Sequence, residues 1–117
     1  MWTFTAYILW KLSKAKGSNR IEFPELTHFI FDILWKEYKI VLNDSSKELE
    51  REIEYLKELG AVNYDGYEIE VKEKLGEIAQ IVEQSSLKDQ LTLYREYLGR
   101  INQAIDTKIK PKSITPS

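Results

Sequence analysis

The run SSKELEREIEYLKELGAVNYDGYEIEV, residues 45–71, constrains the fold more than any other part of this chain. Ser45 stands where a helix N-cap belongs, and Glu48 follows three residues later, the spacing of a capping box. Leu49, Ile53, Leu56 and Leu59 then recur at intervals of four, three and three, which is one face of an α-helix. Gly60 ends it. Residues 61–64 and 67–71 read as two short strands, and Asp65-Gly66 between them is a dipeptide favoured at the centre of a two-residue hairpin turn. A capped helix delivering directly into a tight hairpin leaves few architectures open.

The rest of the chain supplies helices around that unit. Residues 4–15 place Phe4, Ile8, Leu12 and Ala15 on one face, and Gly17 suits a left-handed helix end. Residues 20–23 alternate and read either as a short edge strand or as an extended connection. Pro24 fits the first turn of a second helix that reaches Tyr38. Its buried stripe is Leu26, Phe29, Ile30, Ile33 and Leu34. Phe31 and Trp35 fall four residues apart on a second face, either as anchors for a partner or under cover from the same chain. After Val71 a fourth helix runs to about Gln84 with Leu75, Ile78 and Val82 inward. Gln84-Ser85-Ser86 reads as a break, with Ser86 capping a fifth helix. Leu87, Leu91, Tyr94, Leu98, Ile101 and Ile105 space that helix by fours and threes over three heptads. Such a seam serves either a dimer or packing back onto the domain; dimerisation is the expectation. The divisions are thus residues 1–84, a dimerising helix over 85–108, and a basic tail over 109–117 expected to be disordered.

Composition excludes several classes. Without Cys there is no disulfide or thiolate chemistry, and a lone His28 makes a zinc site implausible. No metal or other cofactor is expected. His28 itself reads as a partly buried structural residue on the second helix. No nucleophile–base pairing and no Gly-rich phosphate loop is present, so an enzyme is not expected. No apolar run approaches the roughly 20 residues that span a bilayer, and the apolar N-terminus precedes its lysines, the reverse of a secretory signal. A cytoplasmic protein with no membrane contact is expected. The lack of Cys, the single Met and the wealth of Lys, Glu and Ile suit a thermophilic source.

Charge is unevenly distributed. Residues 1–20 carry +4, residues 21–43 carry −2, residues 44–83 carry −7 and residues 84–117 carry +3. A polyanion would prefer the two ends to the middle.

The order of these elements, together with SKELEREIEYLKELGAV, the Asp65-Gly66 turn, Tyr67-Glu68-Ile69 and VKEKLGEIA, resembles the winged helix-turn-helix, transcription-regulator-like proteins of archaea. Leu59-Gly60 and Lys74-Leu75-Gly76 carry the likeness, which covers about residues 4–84. It implies a mainly α fold with a small β-hairpin wing, followed by a C-terminal helical extension. It also implies that residues 45–59 form a recognition helix, that residues 64–67 form the wing tip, and that the ligand is double-stranded DNA. The residues that would meet DNA are Lys47, Arg51, Lys57, Tyr64 and Tyr67, with Lys14, Lys16 and Arg20 on phosphates. Competing readings stand beside these roles. Lys47 and Arg51 either reach base edges or pair with helical glutamates. Tyr64 and Tyr67 either touch a ligand or stack across the hairpin. Lys11, Lys14, Lys16 and Arg20 either hold phosphate or form a solvated face. Residues 44–60 hold six acids against three bases, the opposite sign from the excess of Lys and Arg that phosphate contact needs. A DNA-binding transcription regulator is the leading expectation, acting as a homodimer on paired half-sites. The alternative is a winged-helix protein-protein interaction module that binds no DNA.

Overall fold

The computed structural model describes residues 2–88 and 92–109. These residues are mostly helical, with one small three-stranded antiparallel sheet.

Helix α1 (Trp2–Lys16) is the hub. Phe4, Tyr7, Ile8, Leu9 and Leu12 are buried, and so are Thr5 and Ala6, so the helix is enclosed on nearly every side. A helix apolar all round belongs in an interior. It ends where Gly17 takes φ 70° and the Ser18 N–H reaches back to the Ser13 carbonyl at 3.1 Å. That geometry favours glycine because it has no Cβ to clash.

Strand β1 (Arg20–Glu22) follows, resolving the ambiguity of residues 20–23 in favour of an edge strand. Strands β2 (Val62–Tyr64) and β3 (Glu68–Val71) complete the sheet in the order β1-β3-β2. The register sets Ile21 and Tyr64 against Ile69, and all three are buried. It sets Arg20 and Asn63 against Glu70 on the opposite, outer face. The alternation is what a sheet with one dry and one wet side requires.

Helix α2 (Phe23–Thr27) opens with a capping box between Glu22 and Glu25 and has Pro24 in its first turn. It continues without a break as a π-helix over His28–Trp35. Leu26, Phe29, Ile30, Ile33 and Leu34 are all buried, as the spacing predicts, although the winding is wider than an α-helix. Lys39 closes this element at φ 59°, a left-handed position without the help of glycine. His28 is not partly buried. Its side chain is 65% exposed, and Nδ1 lies 2.9 Å from Asp32 one turn on.

Helix α3 (Ser46–Glu58) is capped by Ser45, whose hydroxyl accepts from the Glu48 N–H at 3.2 Å. Only this half of the expected box forms, because the Glu48 carboxylate turns to the Asn43 amide at 3.4 Å. Leu49, Ile53 and Leu56 are fully buried, and Gly60 ends the helix at φ 78°.

The hairpin lies one residue later than its sequence suggests. Asp65 N–H donates to the Glu68 carbonyl at 3.4 Å, so Gly66 and Tyr67 are the central pair, with Gly66 at φ 98°. The Asp65 carboxylate causes the shift. It accepts from the N–H groups of Tyr67 at 2.9 Å and Glu68 at 2.7 Å, which fixes Asp65 as the first corner of the turn.

Helix α4 (Glu73–Lys88) buries Leu75, Ala79 and Val82, while Ile78 is half-buried. It runs straight through Gln84-Ser85-Ser86, where a break was expected. Gly76 is packed so tightly that a Cβ there would stand 2.6 Å from the Trp10 ring. Helix α5 (Thr92–Lys108) therefore starts later than residue 85 and folds back on α1, α4 and the π-helix. Its Asn102 amide donates to the Tyr7 hydroxyl at 2.8 Å, Arg100 donates to the Tyr38 carbonyl, and Lys108 meets Glu37 at 2.9 Å. Burial pushes the Tyr7 phenol above its ordinary pKa, with the nearby Glu83 and Asp106 charges adding to the effect, while the Asn102 bond opposes it.

Candidate functional site

The outer face of α3 and the hairpin beside it hold most of the residues singled out for binding. Lys47, Glu50, Arg51, Glu54, Tyr55 and Glu58 line a shallow, open depression of about 510 Å³ along the helix. The inner stripe of Leu49, Ile53 and Leu56 fixes this orientation, since burying it leaves the opposite side in solvent.

Lys47, Arg51 and Lys57 form no ion pair among the described residues, so the expected pairing of Lys47 and Arg51 with helical glutamates is not made. Glu54 and Glu58 likewise have no polar partner there. Two other glutamates are held by hydroxyls from neighbouring elements. Tyr64 donates to Glu50 at 2.6 Å, and Thr5 donates to Glu52 at 2.5 Å. Burial pushes the Tyr64 phenol far above its ordinary pKa, and the Glu50 carboxylate adds to the shift. Tyr64 is therefore a permanent donor, only 4% exposed, rather than a hairpin residue open to a ligand. Its ring lies 6.0 Å from Phe23, not across the hairpin against Tyr67. Tyr67 is 53% exposed, and the negative charge of Glu22 raises its pKa.

The cations expected on phosphate are placed apart from α3 or held by acids. Lys14 sits over the Trp10 ring at 4.5 Å. The Lys16 ammonium contacts both Glu25 oxygens at 2.6 Å. Arg20 donates to Glu68 at 2.5 Å and lies 3.6 Å from Glu70. Those bonds and charges raise the Arg20 pKa further. Arg20 and Lys57 share a second depression of about 330 Å³ with Asp65, Glu68 and Glu70, again with acids in excess.

Of the expected dimer seam, Leu98, Ile101 and Ile105 are buried in the chain's own core. Leu91 lies outside the described residues, as do the side chains of Leu87 and Tyr94 and residues 110–117 of the tail. Phe31 is half-buried and Trp35 is 42% exposed, with ring centroids 6.1 Å apart.

One feature of the α3 face was not anticipated. Tyr55, 42% exposed, packs edge-on against Trp2 at 5.1 Å between ring centroids. This pair borders a depression of about 320 Å³ shared with Glu48, Arg51 and Glu52. The available signal was that Tyr55 lies four residues after Arg51, hence on the same outward face.

Among the described residues no group of three or more His, Asp and Glu side chains is arranged to hold a metal ion. No described helix is long and apolar enough to cross a membrane. Compared with known protein families, curated proteins and solved structures, the chain matches none.

Proposed function

We propose that this chain is a winged helix used as a protein-protein interaction module, with the outer face of α3 as its working surface. The element order, helix-strand-helix-helix-strand-strand, and the sheet order β1-β3-β2 support the winged-helix reading. α3 then occupies the recognition position and the turn around Gly66 is the wing. A protein partner is favoured over duplex DNA by one observation. The exposed aromatic Tyr55, braced by Trp2, lies in a surface where five glutamates of α3 outnumber Lys47, Arg51 and Lys57. DNA affinity rests on phosphate contacts by Lys and Arg, and the carboxylates between these cations repel phosphate. Exposed aromatics, in contrast, are enriched at protein interfaces.

A DNA-binding transcription regulator is the second reading. Lys47, Arg51 and Lys57 support it, because none of the three forms an ion pair among the described residues. The two readings separate in one titration. With labelled mixed-sequence duplex DNA at about 50 mM salt, the module reading expects no binding tighter than about 100 μM, the weak end of non-specific affinity. Micromolar binding that falls steeply at about 200 mM salt and disappears in K47A/R51A replaces it with the second reading.

A further inference from the structure

The face of α3 carries information about the kind of partner as well as its existence. Glu48, Glu50, Glu52, Glu54 and Glu58 stand against Lys47 and Arg51 across the two adjoining depressions, a net excess of three negative charges. Thr5 and Tyr64 hold Glu52 and Glu50 on opposite flanks, so part of the carboxylate set is already oriented. The Trp2–Tyr55 pair supplies an apolar step on the α1 side of the same surface. With thirteen residues, α3 is about 20 Å long, which matches some four turns of a second helix.

Resting on the module reading, we infer that the occupant of this face is a basic amphipathic helix of another protein. It lies along α3, sets an apolar side chain against the Trp2–Tyr55 rings and turns its Lys or Arg side chains to the glutamates. Helix-in-groove binding takes its affinity from one or two apolar anchors and its orientation from complementary charge. Lys47 and Arg51, set among the glutamates, repel cations at two points and so fix the register of the incoming helix.

The probe is a labelled helical peptide of about 14 residues, built from Leu and Lys at heptad spacing, with a second peptide carrying Glu in place of Lys. Anisotropy is measured with the full chain at about 50 mM salt. The Lys peptide is expected to bind at micromolar concentration and the Glu peptide not to bind. Tyr55→Ala is expected to weaken the Lys peptide at least tenfold, and E54K/E58K to abolish it. E73K/E77K, the same charge change on α4, leaves it within twofold. Helical circular dichroism and Tm establish that each variant is folded, and Glu54 and Glu58 make no contacts whose loss would unfold the chain. Equal weakening by E54K/E58K and E73K/E77K reduces the binding to bulk charge and overturns the inference, as does a Lys peptide that fails to bind. A Glu peptide that binds and is lost in Tyr55→Ala overturns the partner chemistry but leaves the module reading standing. If both peptides fail and duplex DNA binds, the module reading falls as well.

Discussion

The outer face of the sheet and the outer face of α3 are both charged, yet they differ in how the charges are arranged. On the sheet, Arg20 lies between Glu68 and Glu70, and Asn63 donates to Glu70 at 2.8 Å, so the polar groups satisfy one another. On α3, Lys47, Arg51, Glu54 and Glu58 have no partner among the described residues, although opposite charges lie within the same helical turn or the next. The sheet face is closed by its own register, since strand pairing puts Arg20 directly across from Glu70. The α3 face is left open, and the exposed Tyr55 among its unpaired charges is what the proposed interaction surface rests on.

Substitutions can break or sharpen this contrast, and the interior sets the upper end of the scale. Gly76→Ala drives a methyl group into the Trp10 ring. It should cost about 1–3 kcal/mol in chemical denaturation, the range for overpacking a filled site. Tyr64→Phe removes the donor that holds Glu50 to the hairpin. A loss of about 1 kcal/mol is expected, and peptide affinity should fall as Glu50 becomes free to rotate.

Strong acid should weaken the hairpin turn. N–H groups of Glu68 and Tyr67 hold the Asp65 carboxyl below its ordinary pKa of 3.8. A depressed folded-state pKa means stability that is present above about pH 4 and lost as pH falls through the lower folded value. Asp65→Asn should therefore flatten the acid limb of a Tm-against-pH curve. Arg20→Ala should lower Tm less than Tyr64→Phe does, and by an amount that shrinks with salt, because exposed ion pairs are screened. Lys47→Ala and Glu54→Ala, which remove unpaired groups, should leave stability within about 0.5 kcal/mol. A larger cost would mean that the α3 charges are structural and the contrast is false.

Much of this fold was legible because its punctuation is chemical. Ser45 and Gly60 bound α3, Gly17 ends α1, and Pro24 lies in the first turn of α2, each for a reason that holds without tertiary context. The misreadings arose where tertiary contacts or a side chain decided. The Asp65 carboxylate moved the turn by one residue, a bond that no periodicity displays. Ser85 and Ser86 are weak helix breakers, and α4 continued through them. The π-helix left no trace because its buried stripe is the one an α-helix would also show. In α5 the four-three spacing correctly marked the inward face at Leu98, Ile101 and Ile105 but carried no information about what that face would meet. The candidate surface was legible in part. The outward charges of α3 follow from its stripe, whereas the Trp2–Tyr55 pair joins residues more than fifty positions apart and needs the fold to be seen.

The most direct test of the proposed reading is whether the charge of α3 excludes DNA. Wild-type chain and E54K/E58K are titrated side by side into labelled mixed-sequence duplex at about 50 mM salt. If charge excludes DNA, the wild type should show no binding below about 100 μM and the variant should gain micromolar, salt-sensitive affinity, because α3 already presents Lys47 and Arg51 on the same face. Wild-type binding as tight as that of the variant would contradict this, and would make the α3 face a DNA-reading surface despite its glutamates.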